Sequence, residues 1–310
     1  MISEILTTSF LIGILASGIR LATPYLYAAM GETLGQRSGV LNLGVEGQML
    51  LGAFAAFYVT FRTGNLWLGL GAAIVVGAAM GLAMAFVTIN LQAEQGISGI
   101  GFYLFGLGMS TLLFQMTMGT VETVSGFSPI HIPLLSDIPV LGDIFFKHNL
   151  LVYGAFLLVP IVQFVLYRTN LGLKIRAVGE NPEAADSLGV SVSLVRYITV
   201  TLGGILSAVA GASMSIATLN VFQQNMTSGL GFIAVALVYF GGWRPFGVML
   251  GALLFSMVNA LQLRLQVEGM PIPSEILVMM PYILTILALV LTVQRVRAPS
   301  ALAKSFEREG

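Results

Sequence analysis

Glu46 is a carboxylate set inside an apolar run, in the stretch SGVLNLGVEGQ at residues 38–48. Asn42 stands four positions earlier, so on a helix the two share one face. A carboxylate at the centre of a bilayer costs on the order of 2.5–3.5 kcal/mol on insertion scales. Glu46 must therefore face protein or a polar cavity. It either belongs to a pathway for a polar solute or locks helices together, held by Arg37 or by a backbone amide. Glu32 lies five positions before Arg37 and is expected to pair with it. The amides of Gln115, Asn220, Gln223, Gln224, Asn225, Asn259 and Gln262 add uncharged donors and acceptors, and Phe102, Phe105, Tyr239 and Phe240 add flat apolar faces. Singly, each is accounted for by interhelical hydrogen bonding or packing. As a group they suit a polar, uncharged ligand such as a nucleoside or a sugar, with Asn42, Glu46, Phe102, Gln115, Asn225, Tyr239 and Asn259 as the candidate pathway.

A second cluster is GENPEAADSLGV at residues 179–190, a polar island between apolar segments. Asn181 reads as an N-cap, Pro182 as the first helical position, Glu183 as a first-turn acid and Gly189 as the stop. About two turns fit between these signals. Arg168, Lys174 and Arg176 precede the island and Arg196 follows it. A short capped helix held between two membrane spans is well placed to be gripped by a soluble partner.

Other chemistries find no residues. There is no cysteine, hence no disulfide, thiol nucleophile or thiolate metal site. No G-x-x-x-x-G-K-[ST] loop is present, so the chain does not hydrolyse ATP alone, and neither H-E-x-x-H nor G-x-S-x-G occurs. Both histidines, His131 and His148, fall outside the apolar segments, and no aspartate falls within one, which weakens a proton-coupled carrier.

These groups need a membrane scaffold to position them. Of 310 residues 56% are hydrophobic and 9% charged, against roughly 25% charged in a soluble domain. Basic and acidic residues balance at 14 each, so nothing points to nucleic acid. Segments of about 20 apolar residues recur along the whole length. They predict an all-α protein, one membrane domain over residues 1–310, with nine spans near 18–36, 40–61, 66–90, 98–118, 150–167, 197–217, 229–242, 246–264 and 276–294. The seventh, which is short, reads as broken or re-entrant. The first seventeen residues either lie along the interface or extend the first span, and no removable signal peptide is expected.

Orientation follows from the excess of Lys and Arg in cytoplasmic loops. With the 168–196 loop inside, the cytoplasmic side holds Arg37, Arg168, Lys174, Arg176, Arg196, Arg244, Arg295, Arg297, Lys304 and Arg308. Only Arg62, Lys147 and Arg264 lie outside, and Arg20 snorkels from the outer end of the first span. The N-terminus is thus expected outside, the C-terminus inside, and the 119–149 loop external. Spans one to four and six to nine then run in opposite senses, an inverted repeat of four-helix halves. The glycine-rich second member of each half marks the site expected near the midplane.

TPYLYAAMGETLGQRSGVLNLGVEGQMLLGAF at residues 23–54, GENPEAADSLGVSVSLVR at 179–196, and GGWRPFGVMLGALLF followed by LQLRLQ at 241–266 resemble the membrane permease subunits of ABC importers. The nucleoside and simple-sugar branch is the most similar, with ribose and branched-chain amino acid permeases more distant. The resemblance implies a transport subunit of a bacterial or archaeal cell membrane with no catalytic residues and no cofactor of its own. It implies a cytoplasmic ATPase carrying ATP and Mg, a second permease that is a different chain or, as the alternative, a second copy of this one, an external substrate-binding protein and surrounding lipid. Glu180, Asn181, Pro182, Glu183, Ala184, Ala185, Asp186, Ser187, Leu188 and Gly189 would form the coupling helix that docks on the ATPase during alternating access. On this reading an arginine at Ala185 would clash in the docking cleft. Nucleosides are the expected cargo, with simple sugars or flavin-like molecules as alternatives. An ion-coupled carrier and a membrane scaffold or enzyme without transport remain as other classes.

Overall fold

The chain was described as a computed structural model covering residues 8–267, 273–292 and 297–307; the N-terminal seven residues, Arg295 and Arg308 lie outside the described residues. Among these residues the fold is helical, and the one β-type contact is an isolated bridge between Thr123 and Val221. The apolar runs become α1 (Thr8–Arg37), α2 (Val45–Thr63), α3 (Leu66–Ala85), α4 (Gln95–Thr117), α6 (Leu150–Arg168), α9 (Val192–Ser213), α10 (Leu230–Phe240), α11 (Pro245–Val267) and α12 (Ser274–Thr292). Shorter helices are α5 (Leu141–Phe145), α7 (Asn170–Glu180) and α8 (Pro182–Ser187). Polar residues set the starts. Asn65 accepts from the amides of Trp67 and Leu68, Asn149 from Val152, and Ser191 from Leu194, each filling donors that a helix start leaves open. Six helices among the described residues are long and apolar enough to cross a membrane.

Residues 8–17 extend the first helix. The second expected span, by contrast, is helical only from Val45. Residues 38–44 form an irregular re-entrant turn, begun by Gly39 at φ 91° and closed by Asn42, whose Oδ1 accepts from the Gly44 amide. The expected Glu32–Arg37 pair does not form. Glu32 Oε1 instead accepts from Gln36 Nε2 and the Asn42 amide, while Arg37 donates to the Trp243 carbonyl and to the Tyr167 hydroxyl. Burial explains the exchange, because at this depth neutral donors satisfy the carboxylate without drawing in a second charge. Two π-helical turns, at Phe86–Asn90 and Met214–Thr218, close α3 and α9; periodicity alone carries no signal for them.

At the centre lies α2, buried at every position from Val45 to Phe54. Small residues let the backbones meet. A Cβ on Gly204 of α9 would stand 2.5 Å from the Gly77 carbonyl and 2.7 Å from Gly81 Cα on α3. The connections gather at two ends. One end holds residues 38–44, 90–95, 168–191, 241–245 and 299–306, tied by bonds such as Arg37 to Trp243 and the Ala301 amide to the Gly179 carbonyl. The other holds 119–149 and 216–221, joined through Val124 to Asn220, Phe127 to Ile216 and Asn149 Nδ2 to the Ala217 carbonyl.

Two outcomes follow from this packing. Gly204→Val should lower the melting temperature in detergent through an overpacking cost of about 1–3 kcal/mol, whereas Gly108→Val, with nothing within 4 Å of its Cβ, should leave it unchanged. In the 119–149 loop, His148 is buried with Nε2 bonded to the Ile144 carbonyl. Burial, with Arg20 nearby, holds its imidazole below the ordinary value of 6.5 although the Ile144 carbonyl favours the charged form. An unfolded loop therefore binds protons that the native loop excludes, and the contribution is complete above about pH 6.5 and is lost as pH falls through the native value. Hydrogen exchange corrected for intrinsic rate should show residues 141–149 less protected as the pH is lowered from about 7.5 through the acidic range; equal protection throughout would contradict this.

Candidate functional site

Helix α10 spans 11 residues, about 16 Å at a rise of ~1.5 Å per residue. Its C-terminal end meets Trp243 and Arg37 at one end of the bundle, so its N-terminus lies up to about 16 Å in from that end. A helix start buried at that depth has open N–H groups and no water to fill them. Glu46 fills them. Its Oε1 accepts from Thr227 Oγ1 and from the Gly229 amide, and its Oε2 accepts from the Gly231 amide, each at 2.6 Å. The carboxylate also sits in the first turn of its own helix, so two positive helix ends converge on one negative group. Gly231 has to be glycine, since a Cβ there would lie 2.6 Å from Glu46 Cα.

The clamp holds a constrained loop. Residues 219–229 return from the far end of α9 to the start of α10, with Asn220, Asn225 and Ser228 at φ 58°, 54° and 45°. Such left-handed backbone is unfavourable outside glycine and persists where neighbours impose it. Thr227 and Ser228 form one wall of a cavity of about 180 Å³, completed by Tyr25 of α1, Phe255, Asn259 and Gln262 of α11, and Tyr282 of α12. Tyr25 packs edge-on against Phe255, which meets Tyr282 edge-on. Among the described residues no charged side chain lines this space. A neighbouring cavity of about 180 Å³ shares Tyr25, Leu230 and Asn259 and reaches Arg20 toward the 119–149 end. Hydroxyls, amides and ring faces can bind a neutral polar ligand. Pockets that enclose a ligand usually measure roughly 300–1,000 Å³, more than this cavity.

Of the seven candidate pathway residues, Asn259 lines both cavities, and Glu46 stands behind the wall that Thr227 forms. Asn225 sits in the same loop, exposed, its carbonyl accepting from the Ser228 amide. The other four lie elsewhere. Asn42 is buried beside Glu32 and donates to Gln48 Oε1; Phe102 packs against Gly44; Gln115 is exposed on α4; Tyr239 meets Trp243 edge-on with centroids 4.7 Å apart. Tyr25 and Tyr282 were missed because an aromatic residue in an apolar helix reads as packing. The proline beside each, Pro24 and Pro281, was the available signal.

The polar island folds as α8. Asn181 Oδ1 accepts from the Ala184 amide, Pro182 is the first residue, and Gly189 leaves at φ 81°. Ala185 corrects the expectation attached to it, being 3% exposed and packed into the core, so an arginine there would disturb the bundle before it met any partner. Glu183, Ala184 and Ser187 form the outward side, and Leu188 is 85% exposed.

The family described as branched-chain amino acid transport system, permease component, matches residues 14–289. A candidate glucose ABC transporter permease protein of Haloferax volcanii, TsgC13, is 41% identical over 97% of this chain and 99% of its own. The guanosine ABC transporter permease protein NupQ of Bacillus subtilis is 35% identical over 90% and 92%, and the nucleoside permease NupC of Lactococcus lactis is 34% identical over 93% and 94%. In fold, the chain is similar to a solved ABC transporter assigned to the metal-chelate type in an inward-facing conformation, with TM-score 0.51 and 15% identity over 93% of this chain and 88% of that one. With its helices, buried clamp and matched length, the chain belongs to the membrane-embedded permease family of ABC transporters.

Proposed function

We propose that the chain is the permease subunit of an ATP-driven importer for nucleosides, working with a separate cytoplasmic ATPase that holds ATP and Mg, a second permease chain and an external binding protein. The observation that supports this reading is the cavity beside the Glu46 clamp, whose lining combines hydroxyls, amides and rings with aliphatic side chains and, among the described residues, carries no charge. Helix N-termini in the middle of a transporter commonly receive an anionic group of the substrate. Here the start of α10 already holds an internal carboxylate, which favours a neutral cargo. The named activities of NupQ and NupC support a nucleoside. Glucose is the second reading, favoured by the 41% identity to TsgC13.

The topology of this reading has nine crossings, the N-terminus outside and the end with α8 in the cytoplasm. Its two halves are inverted: α1, the turn 38–44 and α2 in one, and α9, the loop 219–229 and α10 in the other. Each half is a long helix, a re-entrant stretch and a second helix starting inside the bundle. In alternating access, ATP-driven movement of α8 would shift these re-entrant stretches and open the Thr227 wall first to one side, then to the other.

Reconstitution with the partner subunits in proteoliposomes tests both parts. Ala184→Arg, on the outward side of α8, should abolish ATP-driven uptake and ATPase binding while membrane insertion persists; parental uptake in that variant would remove the docking role. Guanosine uptake should exceed glucose uptake, and Asn259→Leu should raise the KM for guanosine about ten-fold, the effect of ~1.4 kcal/mol, with kcat little changed. An unchanged KM would place the ligand elsewhere.

A further inference from the structure

Residues 299–306 run across the end of the bundle that carries α8. The Ala301 amide donates to the Gly179 carbonyl (2.9 Å), and Ser300 Oγ donates to Glu180 Oε2 (3.1 Å), both just before the start of α8. Two residues on, the Ala303 amide donates to the Gly39 carbonyl (3.1 Å) in the re-entrant turn. The Phe306 carbonyl accepts from Gln92 Nε2 in the turn that follows the π-helical stretch Phe86–Asn90. One short segment therefore joins the approach to α8, the 38–44 turn and the 90–92 turn.

Arg196 sits beneath this segment, 2% exposed. Its Nε donates to the Ser38 carbonyl (3.2 Å) and its Nη1 to the Lys304 carbonyl (3.1 Å), so one guanidinium holds the re-entrant turn and the segment together. Among the described residues the guanidinium's hydrogen-bond acceptors are these two backbone carbonyls, and Glu183 of α8 favours its charge electrostatically. Gly39 is pressed against both, since a Cβ there would stand 3.0 Å from the Ala301 carbonyl and 3.0 Å from Arg196 Nη2. From Gly39 the chain runs seven residues to Glu46, with the Asn42 amide tied to Glu32 on the way. Burying a charge to tie backbone carbonyls is costly unless the geometry they set is required.

We propose that residues 299–306 form a strap that passes movement of α8 to the re-entrant turn and so to the Glu46 clamp, with Arg196 as its positioning residue. The inference rests on the docking role of α8. The end of α7 also packs directly on α1, where Gly179 lies against the Arg37 carbonyl, so the strap adds tension to a joint that already exists. Its loss uncouples hydrolysis from transport without dissolving the assembly.

The test uses the complete transporter in proteoliposomes with guanosine as the probe, measuring ATPase recovery on the purified complex, ATP turnover, and uptake per ATP. Three variants are compared: truncation after residue 298, Arg196→Met, which keeps the chain length and much of the side-chain volume, and Arg196→Lys, which keeps the charge and one set of donors. The strap predicts that truncation and Arg196→Met still bind the ATPase and hydrolyse ATP, while uptake per ATP falls about five-fold or more, the scale of a coupling energy of ~1 kcal/mol or above. Arg196→Lys should recover part of the loss. Parental uptake per ATP after truncation would overturn the strap, and so would a parallel fall of assembly, turnover and uptake in Arg196→Met, which marks a merely structural role. If truncation blocks insertion, Arg196→Met and Arg196→Lys carry the decision. Failure of the docking role shows differently, as retained uptake in Ala184→Arg.

Discussion

A carboxylate that cannot lie alone in hydrocarbon and a helix start that cannot leave its amides open cancel each other's cost at Glu46. Three donors, two of them the backbone amides of Gly229 and Gly231 at the start of α10, converge on its two oxygens. Hydrogen bonds to a charged group contribute about 1.5–3 kcal/mol each, and far more is lost if one partner is removed and the other stays buried. The rest of the site hangs from this contact. The left-handed residues of the 219–229 loop, the Thr227 wall of the cavity and the close approach of Gly231 to α2 all require the carboxylate to be where it is.

Below the clamp a second set of neutral donors settles Glu32. Gln36 and the Asn42 amide bond it, Gln36 Oε1 in turn accepts from Trp243 Nε1, and Arg37 is left to bond the Trp243 carbonyl. The re-entrant turn, the end of α10 and the end of α1 are thus one hydrogen-bonded unit. Tight helix packing surrounds it, with Gly77 and Gly81 against Gly204, and the backbone is irregular at 38–44 and 219–229. Those stretches are also the ones that reach the cavity and the strap.

Much of this architecture was legible in the residues. Apolar runs located the helices because a span needs a fixed length, and Asn181, Pro182 and Gly189 marked α8 because caps are local chemistry. The Glu46 alternatives were visible, one of them being a lock held by a backbone amide, but the choice required knowing that α10 starts against α2. Hydropathy hides such partners. The same limit made Glu32 look like a mate for Arg37, since proximity in sequence stood in for proximity in space. Ala185 looked outward only because six residues of helix are too few to show which side is buried. Tyr25, Asn259 and Tyr282 reach one cavity from three separate helices, and no spacing announces that.

A double-mutant cycle joining Glu46→Gln and Thr227→Val, read as thermal unfolding in detergent, is the most direct measurement of the clamp. Gln keeps the shape while removing the charge, and Val keeps the shape of threonine while removing the donor. If the carboxylate holds the start of α10 as described, the two changes are strongly non-additive, with a coupling of about 1–3 kcal/mol. Additivity within about 0.5 kcal/mol would mean that Glu46 and Thr227 do not act on each other, and the clamp would have to be abandoned.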